Sequence, residues 1–420
     1  MRKEVSLKDI LIIMQRAFNA MDQRLLDHGE KVAYILLSLL RQHGGYSEEE
    51  MIKLCTLAVF HDIGAYKVAE RDKLLEIDSI KPINHAVYGS LFIKYFSPIG
   101  DLSNVVLGHH FTAKYLKEHK ITNIPDEALL LGLADYISLI ELKSGKINKN
   151  RVKSKYVEYT LENINLFLEA SKKIDFNNAL NNNTYKKELH AFFDTKNVNK
   201  DEIIKYTKML TYAIDFRSEA TVRHTIVVEA VSYQIAKLYG FDDETCNTIR
   251  IAAMLHDIGK IAIPINILEK PGKLTESEFE KMKDHVSIGY KILSNLDIDD
   301  IRDIAMAHHE KLDGMGYPFG LKGDEISNEA RIVAVGDIFS ALLGVRSYKD
   351  EFSKDKIIMI LKNMSENNKI DSKIVDLVIK NYDRIIEEIK EETDSLIKIY
   401  ENMKDEYNEL LKDLKEKSMF

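Results

Sequence analysis

Two short stretches decide how this chain folds: HDIGK at residues 256–260 and HHEKLDGMGYP at residues 308–318. In each, a histidine stands beside an acidic residue or a second histidine, and glycine follows within a few positions. Imidazole and carboxylate groups ligate borderline divalent metals such as iron, manganese and zinc. A lone His-Asp pair could equally be a polar helix end, but the two stretches together predict a metal site.

The histidines recur in the same order in both halves of the chain. The second-half series is His224, His256, His285, His308, His309 and then Asp337. The first-half series is His28, His61, His85, His109, His110 and then Asp135. The sequence around these histidines also repeats, since AVFHDIG at 58–64 resembles AMLHDIG at 253–259. An internal duplication explains this order most simply; two unrelated helical bundles with similarly placed histidines are the alternative.

Length and composition bound the fold. A chain of 420 residues is long for one domain, so two or three domains are expected. Only 6 prolines occur, and apolar residues recur at helical spacing, which predicts an almost wholly helical protein.

Charge, hydropathy and cysteine content limit the partners and the location. A net charge of -8 argues against duplex DNA or another polymeric nucleic acid, because non-specific binding needs many basic contacts. No apolar run is long enough for a membrane span, and the N-terminus does not resemble a signal peptide. Cys55 and Cys246 lie in apolar helical stretches, so we expect buried thiols in a reducing cytoplasm.

Composition divides the chain into four segments. Residues 1–145 and 205–385 contain the two histidine series, and the Lys- and Asn-rich residues 146–204 predict a partly helical connector. Residues 386–420 carry an apolar seam in steps of three and four, over about four heptads. This tail is expected either to pair with a second chain in a homodimer or to fold back on its own domain.

Further motifs stand in the order typical of one enzyme family. Between and after the two opening stretches come IPINIL at 263–268, KPGKL at 270–274 and GLKG at 320–323. On these motifs, residues 205–385 resemble the HD-GYP family of metal-dependent cyclic dinucleotide phosphodiesterases. The resemblance implies an all-α fold: two tandem HD-superfamily helical bundles plus a long C-terminal helix, with the metal in the centre of a bundle.

The resemblance also implies roles for individual residues. Asp257 would bridge two metals, and Lys260 would approach the scissile phosphate as the second catalytic group. Tyr317, Arg346 and Lys349 would bind the substrate together with Lys260. The metal ligands would be His224, His256, Asp257, His285, His308, His309 and Asp337.

The chemistry of these side chains fits phosphodiester hydrolysis in its own right. A metal pair about 3.5–4 Å apart lowers the pKa of a bridging water and clamps the attacking and leaving oxygens. Lys260 adds a point charge for the phosphate. Ala220 stands where some family members have a glutamate for a third metal. We therefore expect two divalent ions, with iron or manganese favoured.

The predicted function is hydrolysis of cyclic di-GMP to linear pGpG, to GMP or to both, by a hydroxide that two metals activate in the second HD domain. One alternative is hydrolysis of a mixed guanine-adenine cyclic dinucleotide. Another is a catalytically weak sensor of cyclic dinucleotide or metal that signals through the helical tail. The complete second ligand set, with Lys260 and the glycine-rich turn, favours the enzyme.

The first half keeps candidate ligands but lacks the rest of the signature. Ala65 replaces the lysine that follows HDIG, and Phe111 follows the histidine pair without a glycine-rich turn. This half resembles the general HD superfamily, so a different phosphoester substrate, a sensing role, or histidines kept only for packing are all open. A second metal site would use His28, His61, Asp62, His85, His109, His110 and Asp135.

Overall fold

Helices make up all the regular structure in the part of the chain that the structure describes. A computed structural model describes residues 6–21, 26–66, 83–195, 199–215, 219–343 and 352–416. Within these ranges there is no strand, only an isolated bridge between Asp313 and Lys322. The predicted all-α fold is confirmed. None of the described helices combines the length and apolar character needed to cross a lipid bilayer.

The chain forms two compact units. The N-terminal unit contains Ser6–Met209 together with Glu401–Phe420, and the C-terminal unit contains Leu210–Tyr400. The predicted connector at 146–204 therefore lies in the same unit as the first histidine series. Cys55 in the first unit and Cys246 in the second are both buried and free, as predicted.

Among the described residues, twelve α-helices lie wholly in the N-terminal unit. They are α1 (Leu7–Met21), α2 (His28–His43), α3 (Glu48–Phe60), α4 (Asn84–Phe96), α5 (Ser103–Gly108), α6 (Ala113–Glu118), α7 (Asp126–Ser144), α8 (Lys149–Lys153), α9 (Tyr156–Tyr159), α10 (Leu161–Lys173), α11 (Phe176–Asn181) and α12 (Tyr185–Phe193). The next helix, α13 (Lys200–Asp215), continues into the C-terminal unit.

The C-terminal unit is built in the same way. Its helices are α14 (Glu219–Tyr239), α15 (Asp243–Leu255), α16 (Ile265–Leu268), α17 (Glu276–Leu293), α18 (Asp299–Met306), α19 (Asn328–Leu342), α20 (Lys354–Glu366), α21 (Ser372–Lys380) and the long α22 (Tyr382–Glu416), which ends in the N-terminal unit.

Corresponding helices occupy the centre of each unit. In the N-terminal unit α2 packs against α3 and α7, and in the C-terminal unit α14 packs against α15 and α19. His28 begins α2 and His224 lies within α14, while Asp135 and Asp337 lie within α7 and α19. The connector helices α10 and α12 cover another side of α2.

Local sequence signals explain where the helices next to the histidines begin. Ser47 caps α3 by accepting from the Glu50 amide, and the Glu50 carboxylate accepts from the Ser47 amide in return. Thr275 and Glu278 form the same reciprocal pair at the start of α17. Such capping boxes satisfy amides that have no partner within the helix, so these short sequences fix the helix starts.

The apolar seam of the tail has partners within its own chain. Met403 and Leu414 on α22 are buried, and the Tyr407 ring lies 5.8 Å from the Tyr88 ring of α4. Glu406 accepts hydrogen bonds from the Lys94 ammonium at 2.6 Å and from the Tyr95 hydroxyl at 2.7 Å, both also on α4. These contacts favour a tail that folds back on its chain, and the homodimer stays a prediction.

Replacing Met403 by Ala should loosen the packing of α22 on the N-terminal unit. The side chain is 1% exposed, so its loss should lower the free energy of unfolding by about 2–5 kcal/mol. Hydrogen exchange of α4 should accelerate. The control Lys404→Ala, at an exposed position, should change stability by less than about 0.5 kcal/mol. Equal exchange in the two variants would contradict the packing.

Candidate metal centres

The seven candidate ligands of the second half meet in the middle of the C-terminal unit. The ends of α15 and α18 and the middles of α14, α17 and α19 supply them. The ends of α15 and α18 contribute two ligands each, and α14, α17 and α19 contribute one each. The structure brings together His224, His256, Asp257, His285, His308, His309 and Asp337.

Backbone carbonyls orient three of these imidazoles. Nδ1 lies 2.7 Å from the Ala253 carbonyl oxygen in His256, 2.6 Å from that of Met282 in His285, and 2.7 Å from that of Ala305 in His308. The carbonyl is always three residues earlier, so Nδ1 carries the proton and Nε2 faces the cluster with its lone pair. A bond of this kind fixes the tautomer that a metal needs.

Asp257 is the centre of the cluster. Its Oδ2 lies 3.1 Å from Nε2 of His256, and its Oδ1 lies 3.3 Å from Nε2 of His285 and 3.9 Å from Nε2 of His308. Asp337 contacts a histidine that Asp257 does not, because its Oδ1 lies 3.1 Å from Nε2 of His224. The two oxygens of Asp257 thus face different histidines, which suits a carboxylate shared by two cations.

The cluster fits divalent metal ions. In each of the groups His224–His256–Asp257 and His285–His308–His309, ligand atoms lie within 4.8 Å of one another. Nε2 of His224, Nε2 of His256 and Oδ1 of Asp257 are buried and make no hydrogen bond. Buried polar atoms nearly always have a partner, and nitrogen and oxygen lone pairs directed at one point provide the donor set of such a cation.

Protonation of the cluster also suits metal binding. Burial lowers the pKa of His308 well below its usual value, and burial lowers the pKa of His309 to about 3. Burial would raise the pKa of Asp257, but His256 and Lys260 outweigh it and hold that pKa well below the usual range. Most imidazoles are therefore neutral and the carboxylates ionised at neutral pH, which is the form that ligates metals.

Lys260 stands at the edge of the cluster. It lies in the 3-10 helix Ile258–Ala262, and its ammonium group forms an ion pair with Oδ2 of Asp257. Gly259 lets this turn approach α17, because a Cβ there would lie 1.9 Å from the His285 carbonyl oxygen. The turn therefore brings a positive charge directly beside the central carboxylate.

The glycine-rich turn lies against the other edge. The Tyr317 ring is 4.7 Å from the His309 ring, and the Tyr317–Pro318 peptide bond is cis. The buried Glu310 carboxylate accepts from the Phe319 amide at 2.7 Å and from the Leu321 amide at 2.9 Å. Sequence reasoning missed this role of Glu310, although an acidic residue before a glycine-rich turn was a usable signal. Arg346 and Lys349 lie outside the described residues.

Two serines complete the orientation of the first histidine in each series. Ser340 Oγ lies 3.0 Å from Nδ1 of His224, and Ser138 Oγ lies 3.0 Å from Nδ1 of His28. Both serines follow the last aspartate of their series by one helical turn, at the same spacing. That repeated spacing is the sequence signal for this pair of serines.

The first-half candidates assemble into a second cluster in the N-terminal unit. His28 Nε2 lies 3.1 Å from Oδ1 of Asp135, and His85 Nε2 lies 3.3 Å from Oδ1 of Asp62. Nε2 of His61 and Nε2 of His109 are buried and make no hydrogen bond. This cluster therefore also has buried nitrogen atoms that could ligate a metal. The structure brings together all seven: His28, His61, Asp62, His85, His109, His110 and Asp135.

The surroundings of the two clusters differ. The buried Ala65 occupies the position in the N-terminal unit that Lys260 has in the C-terminal one. The buried Phe111 follows His110 and leads into α6. Among the described residues of the N-terminal unit, nothing corresponds to the Glu310-anchored turn. The cluster can hold metal but lacks the same groups for positioning a phosphate.

Replacing Glu310 by Gln should destabilise the glycine-rich turn. A carboxamide has one acceptor oxygen, so its NH2 group would face one of the two amides that the carboxylate now binds. The expected cost is about 1–3 kcal/mol, with faster hydrogen exchange across 311–321. Asp313→Asn is the matched control, because Oδ1 of Asp313 accepts from the Met315 amide at an exposed position. Equal exchange in both variants would disprove the anchoring role.

Metal affinity of the N-terminal cluster should rise with pH. Burial would lower the pKa of His61, but Asp62 and Asp135 outweigh it and raise the pKa to about 9. Below that pH a metal must displace the proton, so affinity should rise about tenfold per pH unit and level off above it. Manganese titrations of a His256→Ala, Asp257→Ala protein measure this. A flat profile between neutral pH and pH 9 would contradict it.

Comparison with known proteins supports both predicted HD domains. Residues 25–140 and residues 208–374 each match the HD domain family. A 3'3'-cGAMP-specific phosphodiesterase of Vibrio cholerae is 26% identical over 404 residues, which cover 90% of this chain and 92% of that relative. A cyclic di-GMP phosphodiesterase of Thermotoga maritima is 35% identical over 253 residues, covering 58% of this chain and 64% of that relative.

A solved structure shares the fold. The crystal structure of a cyclic GMP-AMP specific phosphodiesterase of V. cholerae matches with a TM-score of 0.58 and 15% identity, covering 90% of this chain and 97% of that one. At this identity the match concerns the fold alone. It agrees with the two helical bundles described above.

Proposed function

Because this chain belongs to the HD-GYP family of phosphodiesterases and carries two HD domains, we propose that its C-terminal unit hydrolyses a cyclic dinucleotide in a metal-dependent reaction. The observation that carries the proposal is the seven-residue cluster around Asp257 with Lys260 and Tyr317 on its edges. A cluster without those neighbours could store or sense metal equally well.

Each residue of the cluster has a place in the reaction. Two bound ions, with iron or manganese favoured, would supply Lewis acidity and a nucleophilic hydroxide at neutral pH. Asp257 and the carbonyl-oriented imidazoles would hold them in a dry pocket. Lys260, already paired with a carboxylate, would bind a non-bridging oxygen of the scissile phosphate and stabilise its growing charge.

Groups around the cluster would orient the substrate. The Tyr317 ring stands beside His309 at the entrance of the turn and would limit where the scissile phosphate can lie. Arg346 and Lys349 remain proposed phosphate contacts. Orientation matters because holding the phosphate in line with its nucleophile removes translational and rotational entropy from the barrier.

The preferred substrate is cyclic di-GMP, cleaved to linear pGpG, GMP or both, as the family resemblance implies. A mixed guanine-adenine cyclic dinucleotide is the second candidate. A relative that aligns over 90% of this chain is named for 3'3'-cGAMP, which is the observation behind this second candidate. Comparing kcat/KM for the two compounds with one protein preparation distinguishes them.

A catalytically weak sensor is the main alternative to an enzyme. It would bind cyclic dinucleotide or metal and signal through α22. The complete ligand set, together with Lys260 and the glycine-rich turn beside it, favours catalysis. The N-terminal cluster, with Ala65 at that position, remains the better candidate for a regulatory role.

Matched double variants test the division between the two units. His256→Ala with Asp257→Ala should lose bound metal from the C-terminal cluster and abolish hydrolysis. His61→Ala with Asp62→Ala should leave hydrolysis within about tenfold of the parent, a barrier change of about 1.4 kcal/mol or less. Metal per chain and cyclic dinucleotide turnover are measured on the same anaerobic preparations. If the N-terminal variant is equally inactive, the proposed division fails.

A further inference from the structure

An exposed aromatic and cationic face adjoins the C-terminal metal cluster, and the mechanism above does not use it. Three large apolar side chains there are exposed: Phe279 by 46%, Phe319 by 51% and Met315 by 83%. Phe279 lies on α17, which also carries His285, and the other two lie in the glycine-rich turn. Apolar groups exposed around a catalytic centre commonly mark a ligand-binding surface.

Lys283 links this face to the metal cluster. Its ammonium nitrogen lies 5.1 Å from the centre of the Phe279 ring and 5.5 Å from that of the Tyr317 ring, whose other neighbour is His309. Phe279 and Lys283 are one helical turn apart on α17 and therefore share a face. From the cluster outward, the order is His309, Tyr317, Lys283 and Phe279.

We propose that Phe279 and Lys283 form a substrate-binding subsite in which Phe279 stacks on one nucleobase and Lys283 binds the non-scissile phosphate of the cyclic dinucleotide. This inference rests on the proposed function. A cyclic dinucleotide has two phosphates on one ring, so when one lies at the metals, the other needs a separate cation. Lys283 offers that charge, and the exposed ring beyond it offers a stacking surface for a base.

The chemistry of the subsite fits both groups. Every nucleobase presents a flat face, and stacking on an aromatic side chain contributes about 1–3 kcal/mol per base. An ammonium group held beside two rings is attracted to their faces, which helps to position it. Lys283 has one carboxylate partner, Glu280 at 2.7 Å, and that side chain is 64% exposed and free to exchange with water.

The test compares two kinds of substrate on the full-length, manganese-loaded protein. Cyclic di-GMP and 3'3'-cGAMP carry bases and a second phosphate, whereas bis(4-nitrophenyl) phosphate carries one phosphate and no purine. Phe279→Ala and Lys283→Gln should each raise KM for the cyclic dinucleotide about 5- to 100-fold with little change in kcat. Metal per chain and turnover of bis(4-nitrophenyl) phosphate should stay at the parent level.

Conservative and neighbouring changes serve as controls. Phe279→Tyr should restore KM because it keeps the stacking face, and Lys283→Arg should restore it because it keeps the charge. Lys281→Gln removes an exposed lysine of α17 that pairs with Asp284 and should have no effect.

Three outcomes would overturn the subsite. The first is an unchanged KM in both variants, and the second is an equal loss for cyclic dinucleotide and bis(4-nitrophenyl) phosphate, which would indicate a general disturbance of the turn. The third is failure of Phe279→Tyr to restore KM. If instead the unmodified, metal-loaded protein cleaves bis(4-nitrophenyl) phosphate but neither cyclic dinucleotide, the proposed function itself is wrong.

Discussion

The bond between a histidine Nδ1 and the backbone carbonyl three residues earlier is the constraint on which both clusters depend. It recurs in both units, at His61, His109, His256, His285 and His308. Four of the five bonds use a carbonyl in the last turn of a helix, and the fifth uses the Met282 carbonyl in the middle of α17. Each bond turns Nε2 inward, with its lone pair towards the cluster. Burial of several such groups is tolerable only if a cation completes the set.

The two units share this arrangement but differ in what surrounds it. In the C-terminal unit a lysine pairs with the central aspartate, and a buried glutamate anchors a turn beside the cluster. In the N-terminal unit an alanine and a phenylalanine occupy the corresponding sequence positions. Ligand sets can therefore persist after duplication while the groups that bind and orient a phosphate remain in one copy. The proposed hydrolysis is therefore placed in the unit that retains both.

The candidate ligands could be predicted from sequence because histidine next to aspartate is unusual in an apolar helical segment. The same order of histidines and aspartates also occurs in both halves of the chain. The all-α fold followed from spacing and from the resemblance. The roles of individual side chains around the ligands depend on tertiary contacts, which a local sequence pattern does not predict. Glu310 anchors a turn by bonding amides nine and eleven residues later, and Ser340 bonds a histidine 116 positions earlier. The contacts of Glu406 and Tyr407 with α4 join residues about three hundred positions apart, so heptad spacing alone is equally compatible with a second chain and with the same chain as the partner.

Anomalous diffraction from manganese-loaded crystals grown with a non-hydrolysable phosphorothioate cyclic dinucleotide tests the central claim most directly. We expect anomalous scattering inside the cluster around Asp257, with one ligand phosphate beside it and within reach of Lys260. The N-terminal cluster should show metal without nucleotide. Nucleotide bound at the N-terminal cluster, or metal bound away from the Asp257 cluster, would contradict the account.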